Sequence, residues 1–389
     1  MSFNSVNYIR FRHSLVELIE STVPNFILAE VKWKNLSEKY INRPFIKNEH
    51  EYMITAALFE NFKNPHMEFI KLTQASSFYP ILFFVGKLDV FICRAEELNE
   101  YSDITNNKLI SIDGKDVKEI RKEVESKYFK FSQGVKDKQL IKVLRNTMKG
   151  KNAIECTINC NNESKLQILN PITITELEEG MLNNTELSDF VLKNYDHYIY
   201  FKPSSFQVEK CSDICFASLC NNERDILVLD LRYNSGGLIK EAQKFLGFFL
   251  AEATHIGYKL KKKETNDIIE PIVIYPGSDR LKFNTIYILT NRYTMSSSEF
   301  IVIEGLKRTN KNVIVIGEES SGLYSEAERH KCTDGSSFQV LSSVIVDMFD
   351  IPIYRGVIPD IFIYLDFLSP VSTNELMKYL DIVNERMKL

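Results

Sequence analysis

The chain of 389 residues lacks the sequence features that are typical of nucleic-acid-binding, membrane-spanning and secreted proteins. Its formal net charge of −4 gives no sign of the strongly basic face that binds nucleic acid. No apolar run approaches the roughly 18 residues needed to span a bilayer. The start, MSFNSVNYIRFRHSLVEL, also lacks the apolar core and cleavage site of a secretory signal. These absences predict a cytoplasmic protein that binds neither nucleic acid nor membrane.

The cysteines give no indication of a metal site. The chain has seven cysteines, an odd number, and no CxxC pair. Cys156 and Cys160 fall on one face of the alternating run AIECTINC, where a reduced cysteine behaves as a small hydrophobe. Cys211 and Cys215 are four apart but have no His or Cys partners at ligand spacing, so we predict no zinc site.

What the sequence does contain divides into three predicted regions. Residues 1–80 have apolar side chains at helical spacing, as in NEHEYMITAALFENF. Residues 81–195 are rich in short β segments, including a hairpin in PILFFVGKLDVFICRA. Residues 196–389 alternate between strands and helices. Within that last region, the basic run Lys259–Lys263 lies between two β-rich segments and is predicted to be a solvated hairpin tip.

Three short apolar runs in the last region predict buried parallel strands. They are DILVLDL, NTIYILT and NVIVIG, and helical segments separate them. Ligands of such α/β sheets bind at the carboxyl ends of the strands. The loops at 232–237 and 291–298 both fall at that edge.

The first of these loops, in DLRYNSGG, ends with Gly236 and Gly237. Adjacent glycines permit backbone conformations closed to other residues and let a ligand approach main-chain N–H groups. Such groups suit an anion, whether a phosphate or the oxyanion of acyl transfer. An ordinary turn from strand to helix explains the same residues equally well.

The second loop, in LTNRYTMSSSEF, places three serines, Ser296–Ser298, before Glu299. Serine is a preferred N-cap, and a glutamate in the first turn complements the helix dipole. A serine at a strand-to-helix junction also has the layout of an activated nucleophile. The serine run alone leaves both interpretations open.

Taken together, the motifs resemble the tail-specific, or C-terminal processing, serine protease family and its tricorn-type relatives. DLRYNSGG is followed by a serine three residues before Glu299, then by GEESSG, and finally by YRGVIPDIFI. The resemblance makes Ser296 the nucleophile. It implies an α/β fold with a ClpP/crotonase-like spiral ββα catalytic core in residues 196–389, a helical N-terminal region, and a small β-rich insert resembling a PDZ remnant.

The resemblance also implies a general base. The lysine-using branch of the family has a lysine directly after the GEESSG glycine, where this chain has Leu323. The tricorn-type branch uses an upstream histidine, and His66 in FENFKNPHMEF is the matching candidate. The other five histidines match nothing and are interpreted as surface or packing residues. The oxyanion is expected to bind main-chain N–H groups of Gly236 or Gly237 and of Ser297.

Two positions depart from the tricorn-type pattern. Pro65 stands where a serine precedes the histidine, and Ile353 stands where an acidic residue is expected. The group that orients His66 is therefore open among Asp347, Asp350 and Glu318. The expected activity is hydrolysis of peptides or unstructured protein C-terminal tails without metal or organic cofactor, in an unspecified oligomeric state. The alternative is a non-catalytic relative that binds peptides or apolar ligands.

Overall fold

The structure is a computed structural model. It describes residues 8–363 except for residues 47, 71–76, 80, 87–88, 96–106, 149–150, 171, 174–189, 204, 310–311 and 333–335. The capping-box spacing of Ser372 and Glu375 predicts a C-terminal helix, which lies outside the described residues.

Eight α-helices precede the serine loop within the described residues. They are α1 (Tyr8–Thr22), α2 (Asn25–Glu30), α3 (Trp33–Ile41), α4 (Asn48–Glu60), α5 (Val117–Lys127), α6 (Gln133–Met148), α7 (Cys211–Leu219) and α8 (Ile239–Gly247). The helix after the serine loop begins as a π-helix, Ser298–Ile303, and continues as the short α9 (Glu304–Leu306).

The strands are numbered in chain order. They are β1 (Glu68–Ile70), β2 (Ser77–Phe78), β3 (Ile81–Val85), β4 (Val90–Ala95), β5 (Lys108–Ile112), β6 (Lys115–Asp116), β7 (Ile154–Cys160), β8 (Glu163–Leu169), β9 (Ile172–Thr173), β10 (Phe190–Asn194), β11 (Ile199–Pro203), β12 (Ile226–Asp230), β13 (Thr254–Lys263), β14 (Asn266–Ile274), β15 (Thr285–Thr290), β16 (Asn312–Gly317), β17 (Ser325–Lys331), β18 (Ser337–Val346) and β19 (Ile361–Phe362).

The central sheet has the order β10-β11-β12-β15-β16-β19. All of its neighbours are parallel except β10, which pairs antiparallel with β11. Its inner strands are nearly continuous apolar runs because helices and a second sheet cover both faces. The predicted parallel sheet and α/β class are confirmed, whereas the spiral ββα arrangement stays a prediction.

The polar stretch ITELEEGMLNNTELSDFVLKN has a composition that predicts helical or irregular structure, and this prediction is wrong for Phe190–Asn194. These residues form β10 because every one of them pairs with a residue of β11. Pairing with an adjacent strand of a buried sheet overrides a weak local preference.

A second sheet packs beside the first. It has the order β1-β18-β13-β14, and β17 also pairs with β18. The basic run Lys259–Lys263 ends β13 immediately before the turn into β14, so its predicted place at a hairpin tip is confirmed. Strand β18 matters most for the site, because it pairs with both β1 and β17.

The N-terminal helices do not form a separate core. Apolar side chains of α1, α3 and α4, such as Ile19, Trp33 and Leu58, pack in one buried cluster with Phe338, Val340 and other residues of β18. The predicted helical region is therefore confirmed as helical, and it packs against the C-terminal half of the chain. The domain boundaries at residues 80 and 195 stay predictions.

The middle region forms its own small sheet, ordered β3-β4-β5-β7-β8, with β6 paired to β5. The predicted hairpin is present as β3–β4, and the β segment NAIECTINCNNESKLQIL forms a second one, β7–β8. The Asp113-Gly114 turn joins β5 to β6, and Asp116 caps α5 by accepting a hydrogen bond from Lys118 N at 2.6 Å. Helices α5 and α6 cover this sheet and bring α6 next to the serine loop.

Candidate active site

Ser296 lies in the loop that leaves the carboxyl end of β15. Its φ is +58°, in the left-handed region that a non-glycine residue seldom adopts. Backbone strain of this kind is common where a turn holds a side chain out for function. The side chain is only partly buried and lines a cavity of about 1140 Å³, whereas Ser297 and Ser298 are buried.

Glu299 fixes the shape of this loop from within the core. Its fully buried carboxylate accepts hydrogen bonds from Ser296 N at 2.7 Å, Ser320 Oγ at 2.6 Å, Gly322 N at 2.6 Å and Leu323 N at 3.1 Å. Burial raises the pKa of Glu299 to about 7, and the four donors oppose that rise. The serine three residues before a glutamate and the GEESSG segment are thus parts of one buried network.

The asparagine of DLRYNSGG joins the glycine loop to the serine loop. The Asn234 side chain accepts hydrogen bonds from Gly236 N at 3.0 Å and from Ser298 Oγ at 2.7 Å, and it donates to Pro203 O at 3.1 Å. Its backbone oxygen accepts from Met295 N at 3.0 Å. This buried side chain therefore holds the two predicted loops in one register.

The two glycines differ in the state of their N–H groups. The N–H of Gly236 donates to Asn234, so this donor is already engaged. Among the described residues, no acceptor lies within hydrogen-bond distance of the N–H of Gly237 or of Ser297. A Cβ on Gly237 would lie 2.3 Å from the carbonyl carbon of Phe206, and its φ is +146°, so only glycine fits there.

His66 reaches the site through the turn between α4 and β1. The backbone N–H of His66 donates to Asn64 Oδ1 at 2.9 Å. The next residue, Met67, is buried beneath β18, and its sulfur accepts a hydrogen bond from Leu341 N. Strand β1 then pairs with β18 from Glu68 onward. These contacts carry a residue from the N-terminal region to the cavity that Ser296 lines.

The only side chain that orients the imidazole within the described part of the chain is Ser325, the first residue of β17. Its Oγ lies 2.8 Å from His66 Nδ1. Burial lowers the pKa of His66 to about 4, and the positive charge of Lys138 contributes further. The imidazole is therefore neutral at physiological pH.

Ser325 occupies the role that sequence reasoning left open, and none of the three acidic candidates reaches the imidazole. Glu318 pairs with Arg292 at 2.8 Å, and Asp347 caps a turn by accepting from Ile351 N at 3.0 Å. Asp350 lies in the same exposed turn. Ile353, at the position expected for an acid, packs against the central core.

The cavity brings His66, Ser296 and Gly237 together, with the aromatic side chains of Tyr233 and Tyr293 on its wall. The two tyrosine rings stack with centroids 5.6 Å apart. No hydrogen bond joins His66 to Ser296 among the contacts of the described residues. Catalytic hydrogen bonds are often longer without substrate than in the working complex.

The described residues hold no group of three or more His, Cys, Asp or Glu side chains that could bind a metal ion. Cys156, Cys211 and Cys215 are buried thiols, as expected for packing residues. No helix among the described residues is long and apolar enough to cross a membrane, and the cytoplasmic location stays a prediction.

Residues 199–363 match the model of peptidase family S41. No curated protein matches the chain by sequence. The fold is similar to that of mature CPAF, with a TM-score of 0.73 and 9% identity over 97% of this chain and 96% of that one. Mature CPAF complexed with lactacystin gives a TM-score of 0.67 and 9% identity over 98% of both chains. The photosystem II D1 C-terminal processing protease gives 0.59 and 14% over 97% of both.

Proposed function

Because residues 199–363 belong to peptidase family S41, we propose that the protein is a serine peptidase in which Ser296 is the nucleophile and His66 the general base. The observation that carries the proposal is the shared cavity: two residues 230 positions apart in the sequence both line it, and so does Gly237, whose N–H makes no hydrogen bond among the described residues. The substrates would be peptides or unstructured protein tails.

Acylation would begin with attack of Ser296 Oγ on a peptide carbonyl carbon. The hydroxyl proton passes to His66 Nε2, and the carbonyl oxygen becomes an oxyanion. The N–H groups of Gly237 and Ser297 are the donors suited to hold that oxygen, while Gly236 supports the loop through Asn234. His66 then protonates the departing amine as the C–N bond breaks, which leaves an ester on Ser296.

Deacylation repeats the proton path with water. A water molecule gives a proton to His66 and attacks the ester carbon, the bond to Ser296 Oγ breaks, and the proton returns to Ser296. The substrate's new carboxyl group leaves with the oxygen from water. Every proton in the cycle moves through one imidazole.

Ser325 would act as the positioning residue for that imidazole. With the proton on His66 Nδ1, the ring donates to Ser325 Oγ and leaves Nε2 free to act as the base. A hydroxyl holds the ring orientation, but unlike a carboxylate it can donate as well as accept, so it does not by itself select the tautomer, and it brings no negative charge to stabilise the imidazolium. The low pKa of His66, about 4, agrees with the absence of a negative charge beside the ring. We therefore expect a slow enzyme that stays active at acidic pH, down to about pH 4.

The candidate base favours one of the two branches of the family. Leu323 stands where the lysine-using branch has its catalytic lysine; it is buried, and its N–H donates to Glu299. His66 lies in the cavity instead. The proposed assignment is therefore to the tricorn-type, histidine-using branch.

Labelling with a fluorophosphonate probe, followed by peptide mapping, tests this proposal. We expect one adduct, on Ser296, that is lost in Ser296→Ala and kept in Ser218→Ala, a control on the exposed face of α7. Equal labelling of the wild type and Ser296→Ala would remove Ser296 as the nucleophile. A wild-type protein that is folded but neither labelled nor active on peptides would support the alternative, a binding protein built on a peptidase fold.

A further inference from the structure

The catalytic cavity lies between helix α6 and strand β17, and its walls carry more positive groups than the proposed chemistry uses. Helix α6 contributes Lys138, Lys142 and Arg145, and β17 contributes Arg329. The acidic side chains on the same walls are Glu68 and Glu326. A concentration of cations is unexpected in a chain whose formal net charge is −4.

Both acids are already paired. Glu68 lies 2.7 Å from the Lys142 ammonium, and Glu326 lies 3.1 Å from the ammonium of Lys259, a neighbour on β13. Among the ion pairs of the described residues, none involves Lys138, Arg145 or Arg329. These three cations therefore have no partner at ion-pair distance in this part of the chain, although the charges of Glu68 and Glu299 are near enough to act on Lys138.

Lys138 is the cation closest to the proposed chemistry. Its Nζ lies 3.0 Å from the sulfur of Met295, the residue before Ser296. A thioether is a weak acceptor and supplies no negative charge. Although solvent reaches the side chain within the cavity, the surrounding protein reduces its hydration and lowers the pKa of its ammonium. An anion bound here would replace the lost hydration.

Helix α6 holds Lys138 against the serine loop by several contacts. Asp137 pairs with Arg292 at 3.1 Å, and Ser132 Oγ donates to Ser321 O. A Cβ on Gly134 would lie 1.9 Å from Arg292 O, which shows how closely the helix approaches. The backbone that carries Lys138 is therefore held in place against the serine loop, while the exposed Lys138 side chain itself contacts Met295.

We propose that this cavity selects acidic peptides, binding substrate carboxylates through Lys138 near the scissile bond and through Arg145 and Arg329 further along the walls. Lys138 and Arg145 are seven residues apart on α6, a rise of about 10 Å. An extended peptide covers that distance in about three residues. The carboxylates can be Asp or Glu side chains or the C-terminal carboxylate. This inference rests on the proposed peptidase function and names its substrate class.

Matched quenched-fluorescence peptides test the selection. One set has a core with three Glu residues or three Gln residues, each with an amidated end; a second set has the Gln core with a free or an amidated C terminus. We expect kcat/KM for one acidic member to exceed that of its neutral match by tenfold or more, and the set that shows it identifies the source of the carboxylate. Equal values in both sets would overturn the inference.

Variants then connect the preference to the cavity. Lys138→Gln should reduce the ratio of acidic to neutral kcat/KM by roughly tenfold, as expected for losing one charge-assisted hydrogen bond. Arg329→Gln should reduce it less. Lys136→Gln, a cation of α6 that does not line the cavity, is the matched control and should keep the ratio. A preference that survives Lys138→Gln unchanged would contradict the assignment.

Binding separates this inference from the proposed function. The Ser296→Ala variant should bind the acidic peptides more tightly than the neutral ones in fluorescence anisotropy, and its affinity should fall with added salt. Adding Lys138→Gln should weaken that binding about tenfold. Acidic binding in a protein that fails to label or cleave would leave the anion site standing and remove the peptidase. Labelling of Ser296 without any preference for acidic peptides would do the reverse.

Discussion

The two halves of the candidate active site are built very differently. On the nucleophile side, Glu299 accepts four hydrogen bonds and Asn234 joins two loops, so Ser296 is held by a buried polar network. On the base side, a single hydrogen bond between His66 Nδ1 and Ser325 Oγ orients the ring. The nucleophile loop is therefore held by several independent hydrogen bonds, whereas the position of the base depends on packing between segments that are distant in the sequence.

The largest effect should come from the less constrained half. His66→Ala removes the proton acceptor and should lower kcat/KM by about 10⁴-fold or more, because members of such a unit act together. His13→Ala, at an exposed position on α1, is the control that should keep the activity. Peptide hydrolysis by His66→Ala within tenfold of the wild type would show that another base serves Ser296.

The nucleophile half should instead fail through folding. Glu299→Ala leaves four donors in the core without their acceptor, and we expect a loss of about 3–5 kcal/mol in the free energy of unfolding. Chemical denaturation measures this change. Glu252→Ala, at an exposed position, should stay within about 0.5 kcal/mol of the wild type. Equal stability of the two variants would show that the network does not hold the loop.

A smaller effect should separate positioning from catalysis. Ser325→Ala removes the partner of His66 Nδ1 and should lower kcat about 10- to 100-fold, since one buried hydrogen bond is lost. Ser325→Thr keeps the hydroxyl and should recover much of the activity. A nitrogen NMR spectrum should show a changed His66 Nδ1 shift in the alanine variant, where the hydrogen bond is lost, and a shift near the wild-type value in the threonine variant. An unchanged kcat and an unchanged Nδ1 shift in the alanine variant would assign Ser325 to packing alone.

The smallest effect concerns pH. His66 must be neutral to act as a base, and its pKa of about 4 predicts that kcat/KM on a neutral peptide falls only as the pH drops through 4. Lys138→Gln removes the positive charge that helps to lower this pKa, so the acid limb should move upward. It should stay below 6.5, because burial is the larger cause. A downward move would contradict this reading of Lys138.

The same histidine affects stability with a definite sign. Its folded pKa of about 4 lies below the ordinary value of 6.5, so the unfolded chain binds the proton more readily. Its contribution to the free energy of unfolding is therefore present above pH 6.5 and is lost as the pH falls toward 4. His66→Gln should reduce the acid sensitivity of unfolding in that window, and an unchanged profile would contradict the low pKa.

Much of the central sheet could be predicted from the sequence, because its strands are short apolar runs bounded by turn residues. Asn234 and Glu299 are both part of the quoted motifs, but the sequence does not show what they bind. Each side chain contacts a loop that is distant in the sequence, and only the fold brings these loops together. No sequence pattern marks Ser325 as the partner of His66. It lies three residues beyond the last glycine of GEESSG, and only the pairing of β17 and β1 with β18 brings it to the imidazole. Lys138 likewise could not be predicted to line the cavity, because it is one of several lysines on a polar helix.

The most direct test is a crystal structure of the protein after reaction with a fluorophosphonate. The account predicts a phosphonate bonded to Ser296 Oγ, with one of its oxygens within hydrogen-bond distance of the N–H groups of Gly237 and Ser297. The His66 ring should lie beside the modified oxygen while Nδ1 keeps its contact with Ser325. An adduct on another residue, or a phosphonate oxygen directed away from both N–H groups with the imidazole out of reach, would contradict the account.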